Sequence, residues 1–243
     1  MTTDPARYQK KRRLNHKIML MLTSLNSQRR IAKQLNCNLK TVARKLIYLG
    51  KKALAAHEQA LMTQHYNADA IQFDELQTIE HTKCKPLAVA VAVTEKTRKI
   101  LGISVSSMPA TGHLSRIAIK KYGYRPDNRR AGLRQLFATI KPVVTEKTRF
   151  LSDQHPYYKS ILRAHYPNAP YNQIKGSKCC VAGQGELKKR GKDPLFYINH
   201  TLAMCRANIN RLIRKTWCTT KDPAQLVYHL AIYMHVHNIY LTP

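Results

Sequence analysis

Acidic side chains are scarce in this chain, with thirteen Asp and Glu against forty-two Lys and Arg and a formal charge of +29. Two of the thirteen close short hydrophobic runs: Asp74 in Ala70-Ile-Gln-Phe-Asp-Glu and Asp153 in Phe150-Leu-Ser-Asp. Carboxylates brought side by side repel one another and bind protons more tightly unless a divalent cation lies between them. Divalent ions held by such a pair activate a water or a 3′-hydroxyl and stabilise a leaving oxygen, which is phosphodiester chemistry. Glu75, beside Asp74, is an auxiliary acid. Taken singly, each Asp also reads as a turn former ending a strand. Both together, in so basic a chain, favour chemistry.

The elements that must position these acids show in the periodicity. Residues 70–75 read as a strand, 86–94 as a strongly β-branched alternating strand, and 99–106 as a third, close enough to form an antiparallel meander. A loop over about 108–130, rich in Gly, Pro and basic residues, leads to a helix at 131–140, a buried strand at 150–153 and a Tyr-rich helix at 155–166. Residues 175–194 read as an exposed basic loop, and two helices, 197–216 and 223–237, close the chain. Three strands, helix, strand, helix is the order of a ribonuclease-H-like α/β domain with a mixed central sheet, here residues 70–243. That fold sets the first and fourth strands side by side at the sheet centre, which is where Asp74 and Asp153 fall.

Ahead of it, residues 8–62 hold no Pro and one Gly, with apolar residues at helical spacing. A helix over 9–25, a second behind Ser27 as N-cap, a polar break at Asn36-Cys37-Asn38 and a third from Leu39 ended by Gly50 form a helix-turn-helix. The division expected is a DNA-binding domain at 1–52, a connector at 53–69 and the catalytic domain, α+β overall. Arg29, Arg30, Lys40, Thr41, Arg44 and Lys45 are the residues expected to reach bases and phosphates, with Lys10-Lys11-Arg12-Arg13 ahead of them as an arm that can track a backbone. A plain three-helix bundle with a solvated basic face is the competing reading.

A compact body at +29 repels itself and is stabilised by a polyanion, of which nucleic acid is the commonest. No segment approaches the roughly 18–20 apolar residues of a membrane span, so no membrane partner is expected. The N-terminus has no apolar signal core, so a cytoplasmic, nucleoid-associated protein is expected. The six cysteines show no repeated metal-ligand spacing; a zinc site at Cys179 and Cys180 with a nearby His matches no established pattern.

The stretch from Ile198-Asn-His-Thr-Leu through Arg-Leu-Ile-Arg-Lys-Thr-Trp-Cys-Thr-Thr-Lys resembles the closing helix of the insertion-sequence-one transposases. Phe73-Asp74-Glu75 and Leu151-Ser-Asp-Gln-His-Pro-Tyr-Tyr are similar to that family's two acidic motifs, and Arg30-Ile-Ala and Thr41-Val-Ala-Arg to its helix-turn-helix. The resemblance implies a magnesium-dependent (or manganese-dependent) transposase with a DDE-type triad. Such an enzyme binds the inverted-repeat ends of a mobile element and acts on double-stranded DNA as a homo-oligomer. The triad falls on Asp74, Asp153 and Asn199. The third position departs from the family pattern, since Asn offers a neutral carbonyl where Glu offers charge and should hold a metal more weakly. His200 is a neighbouring candidate ligand or proton donor. Glu186, 33 residues after Asp153, is a competing third acid. Arg206, Arg211, Arg214 and Lys215 are expected to grip phosphates from the closing helix, with Trp217 in the core or stacked on a base. Three rival readings stand beside this one. They are a domesticated transposase that kept DNA binding and lost cleavage, a general RNA-binding or ribosome-associated protein, and a tyrosine recombinase using Tyr157 or Tyr158.

Overall fold

The computed structural model describes residues 9–63, 66, 68–175, 193–213 and 218–242. Glu186, Cys179, Cys180, Arg214, Lys215 and Trp217 lie outside the described residues.

The period-2 segments pair as expected from their spacing. β1 (Ala70–Glu80), β2 (Thr82–Thr94) and β3 (Ile100–Ser107) form an antiparallel meander, and β4 (Arg149–Asp153) and β5 (Tyr171–Ile174) add to the far edge of β1 in parallel. The strand order is β3-β2-β1-β4-β5, a mixed five-stranded sheet in an α+β chain. This is consistent with the ribonuclease-H-like domain expected from the element order. β5 was not foreseen, because Tyr171-Asn-Gln-Ile is four residues of partly polar edge with no alternation to read.

Alternation along the strands sorts side chains to two faces. One carries Ala70, Leu76, Val89, Val91 and Leu151 and is covered by α7 (Phe196–Asn208) and α8 (Pro223–Val236), through Ile198, Leu202, Leu226 and Tyr233. The other carries Ile71, Phe73, Ala90 and Phe150, under Leu133 and Phe137 of α5 (Arg129–Ile140) and Tyr158 and Ile161 of α6 (Tyr158–His165). Each large apolar side chain so buried contributes about 1.5–3 kcal/mol. The expected loop at 108–130 holds a short helix, α4 (Leu114–Tyr122), whose basic composition hid its apolar pattern.

The N-terminal helices are α1 (Asn15–Leu22), α2 (Gln28–Gln34) and α3 (Leu39–Thr63). Ser27 caps α2 as expected, accepting the Arg30 N–H at 3.3 Å. Val42, Leu46 and Leu49 point inward, against Ile18, Leu22 and Ile31. Gly50 does not end α3, which runs on for thirteen residues to Thr63. Its missing side chain serves a close helix crossing instead: a Cβ there would lie 2.4 Å from the Tyr228 Cβ of α8. Ile232 of α8 completes the N-terminal core, and buried His229 bonds the Leu22 carbonyl oxygen through Nε2 at 2.8 Å.

Candidate active site

The paired positions of β1 and β4 are Ala70 with Arg149, Ile71 with Phe150 and Gln72 with Leu151. The same register carried two residues further brings Asp74 level with Asp153, at the end of β4. Both follow the alternation of Ala70, Gln72 and Leu151, so both belong to the face covered by α7. Asp74 feels the neighbouring carboxylate. Its proton affinity is raised to about 6, first by burial and then by Asp153, while the Glu75 N–H and the Tyr158 hydroxyl oppose the rise. The Glu75 N–H donates to Asp74 Oδ1 at 2.7 Å and the Tyr158 hydroxyl donates to the same oxygen at 3.3 Å. Asp153 Oδ1 accepts the His155 N–H at 3.2 Å, which fixes the turn into α6.

Glu75, one residue on, alternates to the opposite face. It accepts the Tyr157 hydroxyl at 2.6 Å, and burial raises its carboxyl to about 7. Arg129 and Arg130 lie over the Tyr157 ring, 5.6 and 5.7 Å from its centroid. The two tyrosines therefore act as donors that hold carboxylates in place. Burial pushes both phenols up, and the carboxylates they serve push the same way, which works against a phenolate nucleophile at neutral pH.

The start of α7 is tied to the strand that bears Asp74. The buried Gln72 side chain donates through Nε2 to the Pro194 carbonyl oxygen at 2.9 Å and accepts the Ile198 N–H at 3.1 Å. Ile198, Leu202, Cys205 and Ile209 line the inward stripe of the helix. Asn199 and Arg206, two turns apart, share the flank beside that stripe. Arg206 is exposed and lies near enough to Asp74 to favour its charged form. His200 turns away, with Nδ1 2.9 Å from Nη1 of Arg98 in the β2–β3 turn. Asn199 donates through Nδ2 to Asp193 Oδ2 at 2.7 Å. Because a carboxylate only accepts, the amide orientation is fixed, and Oδ1 is the atom left to a cation. Asp193 was not singled out from sequence; it falls at the end of the Gly- and Lys-rich stretch, and no periodic element frames it.

Among the described residues no three His, Cys, Asp or Glu gather as a metal centre. Two carboxylates, Asp74 and Asp153, are the number that a hard cation such as magnesium typically takes, with water and substrate phosphates completing its shell.

Two expectations for the basic residues need correction. Lys45 is buried rather than exposed: its ammonium donates to Asn15 Oδ1 and Gln9 Oε1, and desolvation lowers its pKa. Arg211 does not continue the α7 face. The helix ends at Asn208 because Ile209 turns extended and inserts fully into the core, leaving Arg211 half-buried in a short 3-10 turn. Arg29, Arg30, Lys40 and Arg44 are exposed and Thr41 is half-buried, all on α2 and α3.

No family model matches the chain, and no curated protein matches it. Among solved structures it is similar to a chain of the "Crystal structure of a pre-cleavage Mos1 transpososome", with 11% identity over 88% of this chain and 73% of that one, at a TM-score of 0.25.

Proposed function

We propose that this chain is a metal-dependent DNA strand-transfer enzyme of the transposase kind, with Asp74 and Asp153 as its central acids. The carrying observation is their placement on adjacent parallel strands, on the face beneath α7, where the Asp74 carboxyl is pushed up to about 6 by burial and by its neighbour. Asp74 and Asp153 would hold Mg2+ or Mn2+, with Asn199 as a neutral third donor. When bound, the ion supplies activation of a water or 3′-hydroxyl and charge stabilisation at the leaving oxygen.

The remaining work falls to the chain itself. Tyr158 and the Glu75 N–H hold one Asp74 oxygen, so the other is presented for binding. Arg206 supplies positive charge beside the acids, where a scissile phosphate needs it. Arg29, Arg30, Lys40 and Arg44 on α2 and α3 form the basic surface for duplex DNA, with α3 in the role of a recognition helix. The experiment is cleavage or joining of a DNA end flanking the native gene. Activity should need magnesium and disappear in Asp153→Ala; a variant that cleaves like the parent overturns the assignment.

One observation favours a second reading, a DNA-binding protein that has lost cleavage: the third position is a neutral Asn already committed to Asp193. On that reading, sequence-specific binding to DNA persists and no magnesium-dependent product forms.

A further inference from the structure

Beyond the Asp pair, β1 continues to Glu80 with β2 as its ladder partner, and β4 has ended. At about 3.3 Å per residue, Glu80 lies roughly 20 Å past Asp74 along the strand. At that end of the sheet is a cavity of about 420 Å³ between the β2 and β3 ends and α4, and no residue of the acidic site lines it. Its walls include Ile119, Tyr122, Tyr124 and Pro126, and its polar groups include Lys85 and Arg125.

The local chain builds this cavity from its punctuation. Gly123 ends α4 at φ 76°, ψ −176°, a conformation that costs glycine little and other residues much, and its N–H closes on the Ile119 carbonyl oxygen at 2.9 Å. The turn throws Tyr124 outward, 82% exposed, while Tyr122 stays on the helix under the Lys85 ammonium, 4.7 Å from its ring centroid. A large aromatic so exposed loses apolar burial without any compensation inside the protein. Nearby Glu80 is paired with Arg125 at 2.7 Å, so its charge does not oppose an anion at the cavity. α4, one wall of the cavity, also carries the exposed cations Arg116, Lys120 and Lys121, which lie outside the cavity lining.

An exposed aromatic face beside a cavity that Lys85 and Arg125 line matches a nucleotide: a base to stack and a phosphate to neutralise. An apolar peptide would satisfy the rings but bring no anion to Lys85 or to the cations of α4. We propose that this cavity takes an unstacked base of single-stranded nucleic acid, with the adjoining phosphates on α4. The site shares with the proposed function only the premise that the basic surface meets nucleic acid.

The test uses the full chain and a single-stranded oligodeoxynucleotide of about ten residues with a central 2-aminopurine. Binding of the parent should change the 2-aminopurine fluorescence. Tyr124→Ala, at an exposed position where folding is not at stake, should bind roughly five- to hundredfold more weakly and lose that change. Tyr124→Phe should keep both, and the affinity of Tyr124→Ala for blunt duplex should match the parent. Asp153→Ala should leave the signal intact, so the cavity and the catalytic assignment fail separately. Unaltered binding and fluorescence in Tyr124→Ala overturn the proposal. So does loss of single-strand affinity on Lys120→Ala and Arg116→Ala without any effect of Tyr124→Ala, which would mean phosphate contact alone.

Discussion

The Gln72 side chain accepts the backbone N–H of Ile198 at 3.1 Å while donating to the Pro194 carbonyl oxygen at 2.9 Å, so one buried amide joins the strand that bears Asp74 to the start of α7. Replacing it by an apolar group of similar size leaves a buried donor and a buried acceptor unpaired. Gln72→Leu should therefore lose about 1–3 kcal/mol in urea unfolding. If α7 positions Arg206 and Asn199 beside Asp74, its magnesium-dependent product should fall by more than the folded fraction does. Parent-like stability would mean that these two bonds are not made in solution.

Asp74 makes a prediction about pH. Its folded-state carboxyl titrates at about 6, above the ordinary value, so the native state holds a proton that the unfolded chain has released. Stability without metal is then full below about pH 4, falls as pH rises towards about 6, and is flat beyond as far as this group is concerned. Asp74→Asn should remove that fall and be more stable than the parent at pH 8, by about 1–3 kcal/mol. Magnesium should stabilise the parent at pH 8, do little near pH 4, and do little to Asp74→Asn at either. Melting curves across pH, with and without magnesium, check all of this; an Asp74→Asn profile parallel to the parent's would show that burial and Asp153 do not raise the Asp74 carboxyl.

Asn199 and Asp193 should behave as one unit. Giving position 199 a charge by Asn199→Asp would improve a metal ligand in isolation. Here it sets a second carboxylate against Asp193, where a donor now stands 2.7 Å from Oδ2. Asn199→Asp alone should bind magnesium more weakly than the parent, and Asp193→Asn should rescue it, because the amide then returns as the donor. Metal titrations of the two single variants and the double variant measure the coupling. Additive effects would place the two residues apart.

Neighbours Arg44 and Lys45 should separate function from folding. Arg44 is exposed on α3; Lys45 is buried on Asn15 and Gln9. Arg44→Ala should weaken binding to duplex DNA and lower the salt slope by about one while leaving stability within about 0.5 kcal/mol. Lys45→Ala should lower the melting temperature, with its DNA affinity unchanged when referred to folded protein. A reversal of these roles, read by salt-dependent binding and thermal unfolding, would remove α3 from the DNA surface.

The sheet was legible where burial imposes a period. Val89, Val91 and Val93 alternate with Ala88, Ala90 and Ala92, and the two faces follow. Ser27 was legible because a cap is local chemistry. What sequence could not supply were properties set by partners distant along the chain. Lys45 looks like any helical lysine until Asn15 and Gln9 are folded over it. The end of α7 depends on Ile209 finding core space, against which its helical pattern carries no signal. Asp193 gains its meaning from Asn199, six residues on, in a stretch without periodicity. Asp74 and Asp153 lay between these cases: the end of β4 at Asp153 was readable, but β1 runs past Asp74 to Glu80, and the parallel register of β1 on β4 came from the structure.

Gly50 gives the sharpest test of how the N-terminal helices meet the rest of the chain. Inside a 25-residue helix an alanine should be better by about 1 kcal/mol on propensity alone. Its Cβ would stand 2.4 Å from the Tyr228 Cβ and 2.7 Å from the Tyr228 Cα, and neither atom can rotate away. The crossing of α3 and α8 must then open, with a net loss of roughly 1–3 kcal/mol and a melting temperature lower by several degrees. Tyr228→Ala should not rescue the variant, since it keeps both atoms that collide; Tyr228→Gly should relieve the clash only in part, because it removes the Cβ and leaves the Cα at 2.7 Å. A Gly50→Ala protein as stable as the parent would mean that α3 does not cross α8 here, and that the N-terminal helices are not seated on the C-terminal ones through Ile232 and His229.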